Sequence, residues 1–206
     1  MSQRANCLRG LVRHVMSDLE SAYSIEAVAA ARNRFIVISG CSGGGKSSLI
    51  DELARRGYRT AAEPGRQVIR EQNAIGGDAV PGRDTTKFLE LTISRTIHAM
   101  IVAASQAETP PVFFDRSIVD QVSGDVPPHF ARAAQIFRYG RVFIVPPWPE
   151  NFRNDAERKH SFEDALQHYA ALLETYERYG YPLTFIPKLS IAQRADFVLQ
   201  SLGLNP

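Results

Sequence analysis

One stretch of the chain is the strongest indication of its fold: Phe35-Ile-Val-Ile-Ser-Gly40-Cys-Ser-Gly-Gly-Gly45-Lys46-Ser47. It opens with a short run of mostly β-branched apolar residues, which is typical of a parallel strand buried on both faces. A glycine-rich turn follows, and Lys46–Arg56 then places apolar residues at helical spacing. The order of strand, glycine turn and helix predicts the start of an α/β domain.

The glycine-rich turn matches the phosphate-binding pattern G-x-x-x-x-G-K-[ST]. Glycines let the backbone turn several N–H groups toward a triphosphate, and the following helix offers its positive N-terminus to the same oxygens. Lys46 is expected to reach the β- and γ-phosphates, and the Ser47 hydroxyl to bind Mg²⁺. The alternative is a plain glycine turn. We expect the nucleotide, ATP, to be bound by Gly40, Cys41, Ser42, Gly43, Gly44, Gly45, Lys46, Ser47 and Ser48.

Further along the chain, strand patterns alternate with helical patterns. More strands are predicted at Tyr58–Ala62, Val112–Asp115, Arg141–Val145 and Thr184–Ile186. Helical periodicity predicts helices at Pro64–Arg70, Thr85–Ala107, His129–Tyr139, Phe162–Tyr179 and Ile191–Leu202, with a loop at Ala74–Asp84. Strands that alternate with helices imply a parallel sheet with right-handed crossovers. We therefore predict an α/β three-layer sandwich with a central parallel sheet of about five strands and helices on both faces.

This predicted domain covers residues 34–206, and residues 1–33 form an N-terminal extension. Arginines in the extension alternate with apolar residues in an amphipathic helical pattern, at Arg4, Arg9 and Arg13 against Leu8, Leu11, Val12, Val15 and Leu19. We expect a helical or flexible extension at the surface. A transit peptide or a helix lying on a membrane surface is the alternative.

Composition and charge exclude several classes of partner. The chain has 206 residues, of which 44% are hydrophobic and 22% charged, as in ordinary soluble globular proteins. The formal net charge is +2, so no strong field attracts nucleic acid or anionic membrane, and we expect neither as a partner. Cys7 and Cys41 cannot form a disulfide framework, which favours a reducing, cytoplasmic compartment. No apolar stretch is long enough to span a bilayer.

Asp115 ends the predicted strand Val112–Asp115 and is the candidate partner of the phosphate-binding loop. A carboxylate at the end of an apolar strand is costly unless it meets a cation or hydrogen-bond donors. In P-loop proteins a neighbouring strand supplies such an aspartate to the Mg²⁺ shell, so we assign Asp115 with Ser47 to the metal. The alternative is a strand-end turn with a local ion pair. Arg116 follows where motor ATPases carry a second carboxylate, which disfavours a motor.

The segment Glu63-Pro-Gly-Arg66 lies after the second predicted strand. Arg66 and Arg70 share a helix face at i and i+4, where two guanidinium groups can grip an anion. Glu63 would lie at the carboxyl end of its strand, where open α/β sheets bind ligands. We assign Glu63 as the base that accepts a substrate proton, and Glu63, Arg66, Arg70 and Arg116 to the acceptor. The alternative is a solvated face in which Glu63 pairs with Arg66.

The segment after the fourth predicted strand combines Trp148 with basic residues. Arg153 and Arg158 could close over the phosphates and stabilise charge during transfer, so we assign both as catalytic. The alternative is a solvated helix start. Trp148, between prolines, is interpreted as a hinge or core anchor rather than as a platform for a base.

Four stretches together resemble a known family: Gly40–Ser48, Glu63–Arg66, Phe114–Ser117 and Pro146–Arg158. They look like the predicted AAA-type ATPases that carry a nicotinamide-riboside-kinase-like domain. Tyr179–Leu183 and Arg194–Val198 also fit that group, so the resemblance covers nearly all of residues 34–202.

Glu63-Pro64-Gly65 and Asp115-Arg116 are more distantly similar to thymidylate and deoxynucleoside kinases. The resemblance implies a P-loop kinase-like fold with five parallel strands and the P-loop strand in the centre. It also implies that the region after the second strand handles the phosphate acceptor, and that a mobile basic lid follows the fourth strand.

Two functions follow from these patterns. The first is a kinase that transfers the γ-phosphate of ATP–Mg²⁺ to a small molecule that is nucleoside- or nucleotide-like. The second is a slow ATPase that acts as a switch for a protein partner, and a homodimer is a further possibility. The chain has no Asn-Lys-x-Asp guanine motif after the P-loop and no Leu-Ser-Gly-Gly-Gln signature, which disfavours GTPases and transporter ATPases.

Overall fold

The computed structural model describes residues 24–41, 43–106, 110–151 and 161–205. Their strands form one sheet in the order β2-β3-β1-β4-β5, and every neighbouring pair is parallel. The strands are β1 (Phe35–Gly40), β2 (Arg59–Ala61), β3 (Val112–Asp115), β4 (Arg141–Val145) and β5 (Leu183–Phe185). The predicted α/β sandwich is confirmed, and the strand that leads into the P-loop is central.

Seven α-helices of the described residues flank the sheet. They are α1 (Ile25–Ala31), α2 (Lys46–Arg55), α3 (Pro64–Ile75), α4 (Thr85–Ala104), α5 (Pro128–Ile136), α6 (Phe162–Arg178) and α7 (Ile191–Ser201). Side-chain caps begin several of them, because Asp84, Ser161 and Ser190 each accept a hydrogen bond from a backbone N–H of the first turn. Proline occupies the first position of α3 and α5, where its missing N–H costs nothing.

The central strand separates two apolar cores. Phe35 and Val37 of β1 face one core, which α1, α4, α5 and α6 cover. Ile36 and Ile38 face the other core, which α2 and α7 cover. Because successive side chains of a strand point to opposite faces, a strand without polar alternation must be covered on both sides.

Several predicted boundaries differ from the structure. Helix α3 continues past Arg70 to Ile75, so the predicted loop starts only at Gly76, whose φ of 68° ends the helix. Helix α5 spans Pro128–Ile136 rather than His129–Tyr139, and β5 begins one residue before Thr184. Helix ends are difficult to predict from sequence, because the polar residues of a last helical turn resemble those of a loop. The left-handed backbone at Gly76 marks the end in the structure.

Part of the predicted N-terminal extension packs on the domain. Helix α1 lies against α4, and its Val28 is buried in the core. Residues 1–23, which carry the amphipathic pattern, lie outside the described residues. The domain boundary at residue 34 therefore stays a prediction. No helix of the described residues has the length and apolarity to cross a membrane.

Candidate active site

The carboxyl ends of the strands bring those predicted site residues that the structure describes to one edge of the sheet. In the register of the sheet, Ile38 of β1 pairs with Asp115 of β3, and Gly40 pairs with Val145 of β4. A cavity of about 940 Å³ lies along this edge of the sheet. Its walls come from the P-loop, the start of α3, the start of α7 and Arg116. This edge is where open α/β sheets bind ligands.

The P-loop takes a backbone path that requires glycine. Gly40, Gly43 and Gly45 have φ of 121°, 81° and 82°, a range that other residues rarely adopt. A Cβ on Gly40 would also lie 2.2 Å from the carbonyl oxygen of Val145, so β1 and β4 approach there as closely as backbone allows. Helix α2 begins directly after the loop, at Lys46. The loop thus ends at a helix N-terminus, the arrangement that binds phosphate.

Lys46 lies folded over its own loop. Its Nζ donates hydrogen bonds to the carbonyl oxygens of Gly40, at 3.2 Å, and of Cys41, at 2.6 Å. The side chain is buried, and this burial, together with nearby Arg116, lowers the pKa of Lys46 to about 8. Asp115 and Glu63 oppose that decrease. Backbone carbonyls are weak partners for a buried cation, so a phosphate is a stronger ligand for Lys46.

Only one of the two carboxylate oxygens of Asp115 has a hydrogen-bond partner among the described residues. Its Oδ2 accepts a hydrogen bond from Ser47 Oγ at 3.4 Å, whereas its buried Oδ1 has no hydrogen-bond partner among the described residues. Burial raises the pKa of Asp115, although Lys46 counteracts this. A hydroxyl beside an unpartnered carboxylate oxygen fits Mg²⁺, which takes one or two protein oxygens and fills its remaining positions with water and phosphate. Ser47 and Asp115, the two residues that the sequence assigns to the metal, are thus hydrogen-bonded to each other in the structure.

Arg116 has a strained backbone and connects two acids. Its φ of 70° is the only positive value of a non-glycine residue in the described part of the chain, and such strain concentrates at functional sites. Nε donates to Glu63 Oε1 at 3.1 Å, and Nη1 donates to Asp120 Oδ1 at 3.2 Å. Burial opposes the charge of Arg116, but Glu63, Asp120 and Asp115 outweigh it and raise its pKa.

Glu63 lies between two guanidinium groups. Its second oxygen, Oε2, is 3.3 Å from Nε of Arg66, the pair that the alternative interpretation predicts. Arg66 is nevertheless not confined to a solvated face, since it lines the main cavity with Glu63. A smaller adjoining cavity of about 360 Å³ is lined by Arg66 together with Arg70 and Asp115. The two arginines of α3 thus share the predicted face, and that face points to the site.

Asp120 is a central residue that sequence reasoning missed. Its side chain is 1% exposed and accepts hydrogen bonds from Ser39 Oγ at 2.6 Å and from Tyr176 Oη at 2.6 Å. The backbone N–H and hydroxyl of Ser117 also donate to it, at 2.9 and 3.0 Å. The one signal in the sequence is that Asp120 is the only acid between the apolar residues Ile118, Val119 and Val122. Asp120 ties the end of β1 to Arg116 and α6.

Three predicted residues, Ser42, Arg153 and Arg158, lie outside the described residues. Cys41 is buried and Ser48 lines the main cavity. Trp148 is buried in the core with α2 and α7, consistent with a core anchor. The guanidinium of Arg194, a residue of α7 without a predicted role, lies over its ring at 4.1 Å.

Three solved structures share the fold of this chain, and two of them are kinases by name. The chain superimposes on the NadR protein in complex with NR with a TM-score of 0.66 and 16% identity, over 84% of this chain and 53% of that one. It thus spans about half of that protein. Deoxyadenosine kinase from M. mycoides, with products dCMP and dCDP bound, superimposes with a TM-score of 0.59 and 17% identity. The match covers 82% of this chain and 98% of that one. Thymidylate kinase from Ehrlichia chaffeensis superimposes with a TM-score of 0.54 and 15% identity, again over 82% of this chain and 98% of that one.

Sequence comparison identifies the family. No curated protein is significantly similar to the chain. A family model described as an AAA domain matches residues 35–194, from the first residue of β1 to the first half of α7. That range contains the P-loop, Glu63, Asp115 and Arg116. The chain belongs to this AAA-domain family and has the fold of the P-loop kinases.

Proposed function

We propose that the protein is a phosphotransferase that moves the γ-phosphate of ATP to a small molecule of nucleoside or nucleotide type. One observation carries the proposal: a single cavity of about 940 Å³ runs from the P-loop to the start of α3. Its volume is at the upper end of the range for ligand pockets, which leaves room for an acceptor beside the triphosphate. A protein that only hydrolyses ATP needs no space for a second substrate beside the triphosphate.

The triphosphate end of the cavity is assigned to α2 and β3. Lys46 binds the β- and γ-phosphates, together with the N–H groups of the loop and the first turn of α2. Ser47 and Asp115 would hold Mg²⁺, which when bound neutralises charge on the phosphate oxygens. The unpartnered Oδ1 of Asp115 supports this assignment, since a buried carboxylate oxygen without a partner is otherwise costly.

The acceptor end is assigned to α3 and Arg116. Ile69, Pro81 and Phe88 form an apolar wall there, and Gly65 brings the α3 backbone close to the Phe88 ring, as a Cβ at Gly65 would lie 3.3 Å from it. An apolar wall suits a flat ring, and Arg66, Arg70 and Arg116 suit an anionic group. NadR in complex with NR and deoxyadenosine kinase with dCMP, which share this fold, support an acceptor of this kind.

The transfer step can be written with Glu63 as the base. The acceptor hydroxyl oxygen forms a bond to the γ-phosphorus, the bond from that phosphorus to the bridging oxygen of ADP breaks, and the hydroxyl proton passes to Glu63. The products are ADP and the phosphorylated acceptor. Arg116 remains beside the developing charge.

A second function is favoured by the ion pairs of Glu63. Both of its carboxylate oxygens face a guanidinium, one of Arg116 and one of Arg66, so neither is free to take a proton until a pair opens. A slow ATPase that switches a protein partner needs no base at this position. The two functions differ in whether ADP formation depends on an acceptor.

The test is an acceptor screen with γ-labelled ATP and Mg²⁺. Nucleosides and nucleoside monophosphates are added one at a time, beside a reaction without acceptor and beside the Lys46→Ala variant. The kinase predicts that at least one acceptor becomes labelled and raises ADP formation well above the background. ADP formation that no acceptor changes, in a protein that binds ATP, supports the switch and contradicts the kinase.

A further inference from the structure

Arg194 lies against the P-loop although it is 150 residues away from it in sequence. It belongs to the first turns of α7, and 6% of its surface is exposed. Its Nη1 donates a hydrogen bond to the carbonyl oxygen of Gly44 at 3.3 Å. The same nitrogen is 3.1 Å from the point that a Cβ on Gly45 would occupy, so the guanidinium packs directly on the loop.

The guanidinium of Arg194 is held in place without an acid. Its Nε donates to the carbonyl oxygen of Leu189 at 2.7 Å, and its central carbon lies 4.1 Å from the ring centre of Trp148. No carboxylate pairs with it among the residues that the structure describes, and burial lowers its pKa. Placing a cation without an anion in such a position is costly, and a planar group stacked on an aromatic ring has one fixed orientation.

The peptide between Gly44 and Gly45 connects the position of Arg194 to ligand binding. A trans peptide is planar, so its C=O and N–H groups point in opposite directions. A hydrogen bond to the Gly44 oxygen therefore directs the Gly45 N–H away from Arg194. Glycine on both sides of the peptide leaves it otherwise free to rotate, because glycine has the widest range of backbone angles.

Docking of α7 on the domain does not rest on Arg194 alone, because a second arginine also holds this helix. Arg56, at the end of α2, donates to Asp196 Oδ1 at 2.5 Å and to the carbonyl oxygen of Ala192 at 2.9 Å. It also pairs with Glu52 and is not among the residues that line the main cavity. Arg56 and Arg194 thus hold the same helix, but only Arg194 contacts the loop.

We propose that Arg194 is a positioning residue of the P-loop. Stacked on Trp148, it holds the Gly44–Gly45 peptide so that the Gly45 N–H faces the bound phosphate. This inference rests on the proposed binding of ATP–Mg²⁺ at the loop. It assigns to Arg194, which also lines the main cavity, a role in phosphate binding that acts through the backbone of the loop.

The experiment compares Arg194→Met with Arg56→Met in the full chain. The affinity for ATP–Mg²⁺ is measured by calorimetry, and the exchange of backbone amides is followed by mass spectrometry in the protein without nucleotide. We expect Arg194→Met to weaken ATP binding by about tenfold or more, the effect of one hydrogen bond from a charged donor. Exchange should quicken in the peptide that covers residues 41–48 and stay unchanged in β3 and α6.

Arg56→Met is the matched control. It should quicken exchange at the junction of α2 and α7 and lower the melting temperature, while ATP affinity stays within twofold of that of the unmodified protein. Arg194→Lys keeps the charge and a donor but loses the planar guanidinium over the Trp148 ring, so its affinity should lie between those of the other two variants.

Equal ATP affinity in Arg194→Met and the unmodified protein, with unchanged exchange over residues 41–48, overturns the inference. If Arg194→Met does not fold, Arg194→Lys decides by the same two measurements. Should the unmodified protein not bind ATP–Mg²⁺, the proposed function is wrong. Amide exchange in the P-loop then still decides whether Arg194 holds the loop.

Discussion

Nε of Arg116 lies 3.1 Å from Oε1 of Glu63, and this ion pair joins the end of β2 to the end of β3. The same guanidinium reaches Asp120 at 3.2 Å, and the second oxygen of Glu63 lies 3.3 Å from Arg66. The candidate base is therefore held on both sides before any acceptor arrives. Catalysis by Glu63 requires that an acceptor hydroxyl replace one of these guanidinium groups.

Replacing Glu63 by glutamine separates its two possible roles. As a base, Glu63→Gln should lower the rate of acceptor phosphorylation by about 10²–10⁴-fold, because the amide cannot take the proton. ATP affinity and background hydrolysis should change little. The measurement is kcat for transfer beside ATP affinity by calorimetry.

Glu71→Gln is the control for Glu63→Gln. Glu71 lies on α3, the helix that Glu63 precedes, and it pairs with an arginine, Arg95, but does not line the two cavities of the site. It should leave transfer unchanged. Full transfer activity in Glu63→Gln would place the base elsewhere and leave Glu63 as a partner that orients Arg116.

Replacing Asp115 by asparagine should affect function and stability in opposite directions. The folded protein without ligand should be at least as stable as the unmodified protein, because burial disfavours the charged carboxylate and an amide of the same shape removes that charge. The Mg²⁺ concentration needed for ATP binding should rise at least tenfold, since even outer partners of metal ligands contribute roughly 10–100-fold.

Urea unfolding of Asp115→Asn and a Mg²⁺ titration of ATP binding measure the two effects. Ser47→Ala should raise the Mg²⁺ requirement in the same way. An unchanged Mg²⁺ requirement in both variants would contradict the metal assignment.

Removing the hydroxyl of Tyr176 tests the buried network around Asp120. Tyr176 Oη donates to Asp120 at 2.6 Å and lies 2.7 Å from Ser117 Oγ. Tyr176→Phe should lower the free energy of unfolding by about 1 kcal/mol, and Asp120→Ala by about 3 kcal/mol or more, because the latter leaves several buried donors without an acceptor.

Tyr179→Phe is the matched control for the network, since no hydrogen bond of its hydroxyl to a described residue is observed. Denaturant unfolding of the three variants measures the differences. Equal stabilities of Tyr176→Phe and Tyr179→Phe would show that the network adds nothing to the fold.

Alanine at Gly40 should be far more harmful than alanine at Gly57. A Cβ at Gly40 would lie 2.2 Å from the Val145 oxygen, so β1 and β4 would have to separate. Gly57 has a similar positive φ of 90° but open space around it, and alanine there costs only the backbone strain of about 1–2 kcal/mol. Soluble yield and melting temperature of the two variants should differ clearly, and comparable values would contradict the close approach of β1 and β4.

The sequence pattern predicted the central strands correctly, because residues that interrupt secondary structure stand directly before them. Val112–Asp115 and Arg141–Val145 match their predicted limits, as a proline pair precedes the first and Gly140 the second. Helix α3 was predicted too short, because nothing between Arg70 and Gly76 distinguishes a helix from a polar loop. The left-handed Gly76 ends it.

Contiguous sequence patterns predicted the glycine-rich turn, the order of strands and helices along the chain, and the assignment of Ser47 and Asp115 to one site. These follow from contiguous patterns, since parallel strands bring their carboxyl ends to one edge. The partners of single side chains, in contrast, became visible only in the folded arrangement. Asp120 meets Ser39 across 81 residues, and Arg194 meets Gly44 across 150. Such contacts leave no local signal, because an acid or an arginine in a helix looks the same whether its partner is water or a distant backbone oxygen.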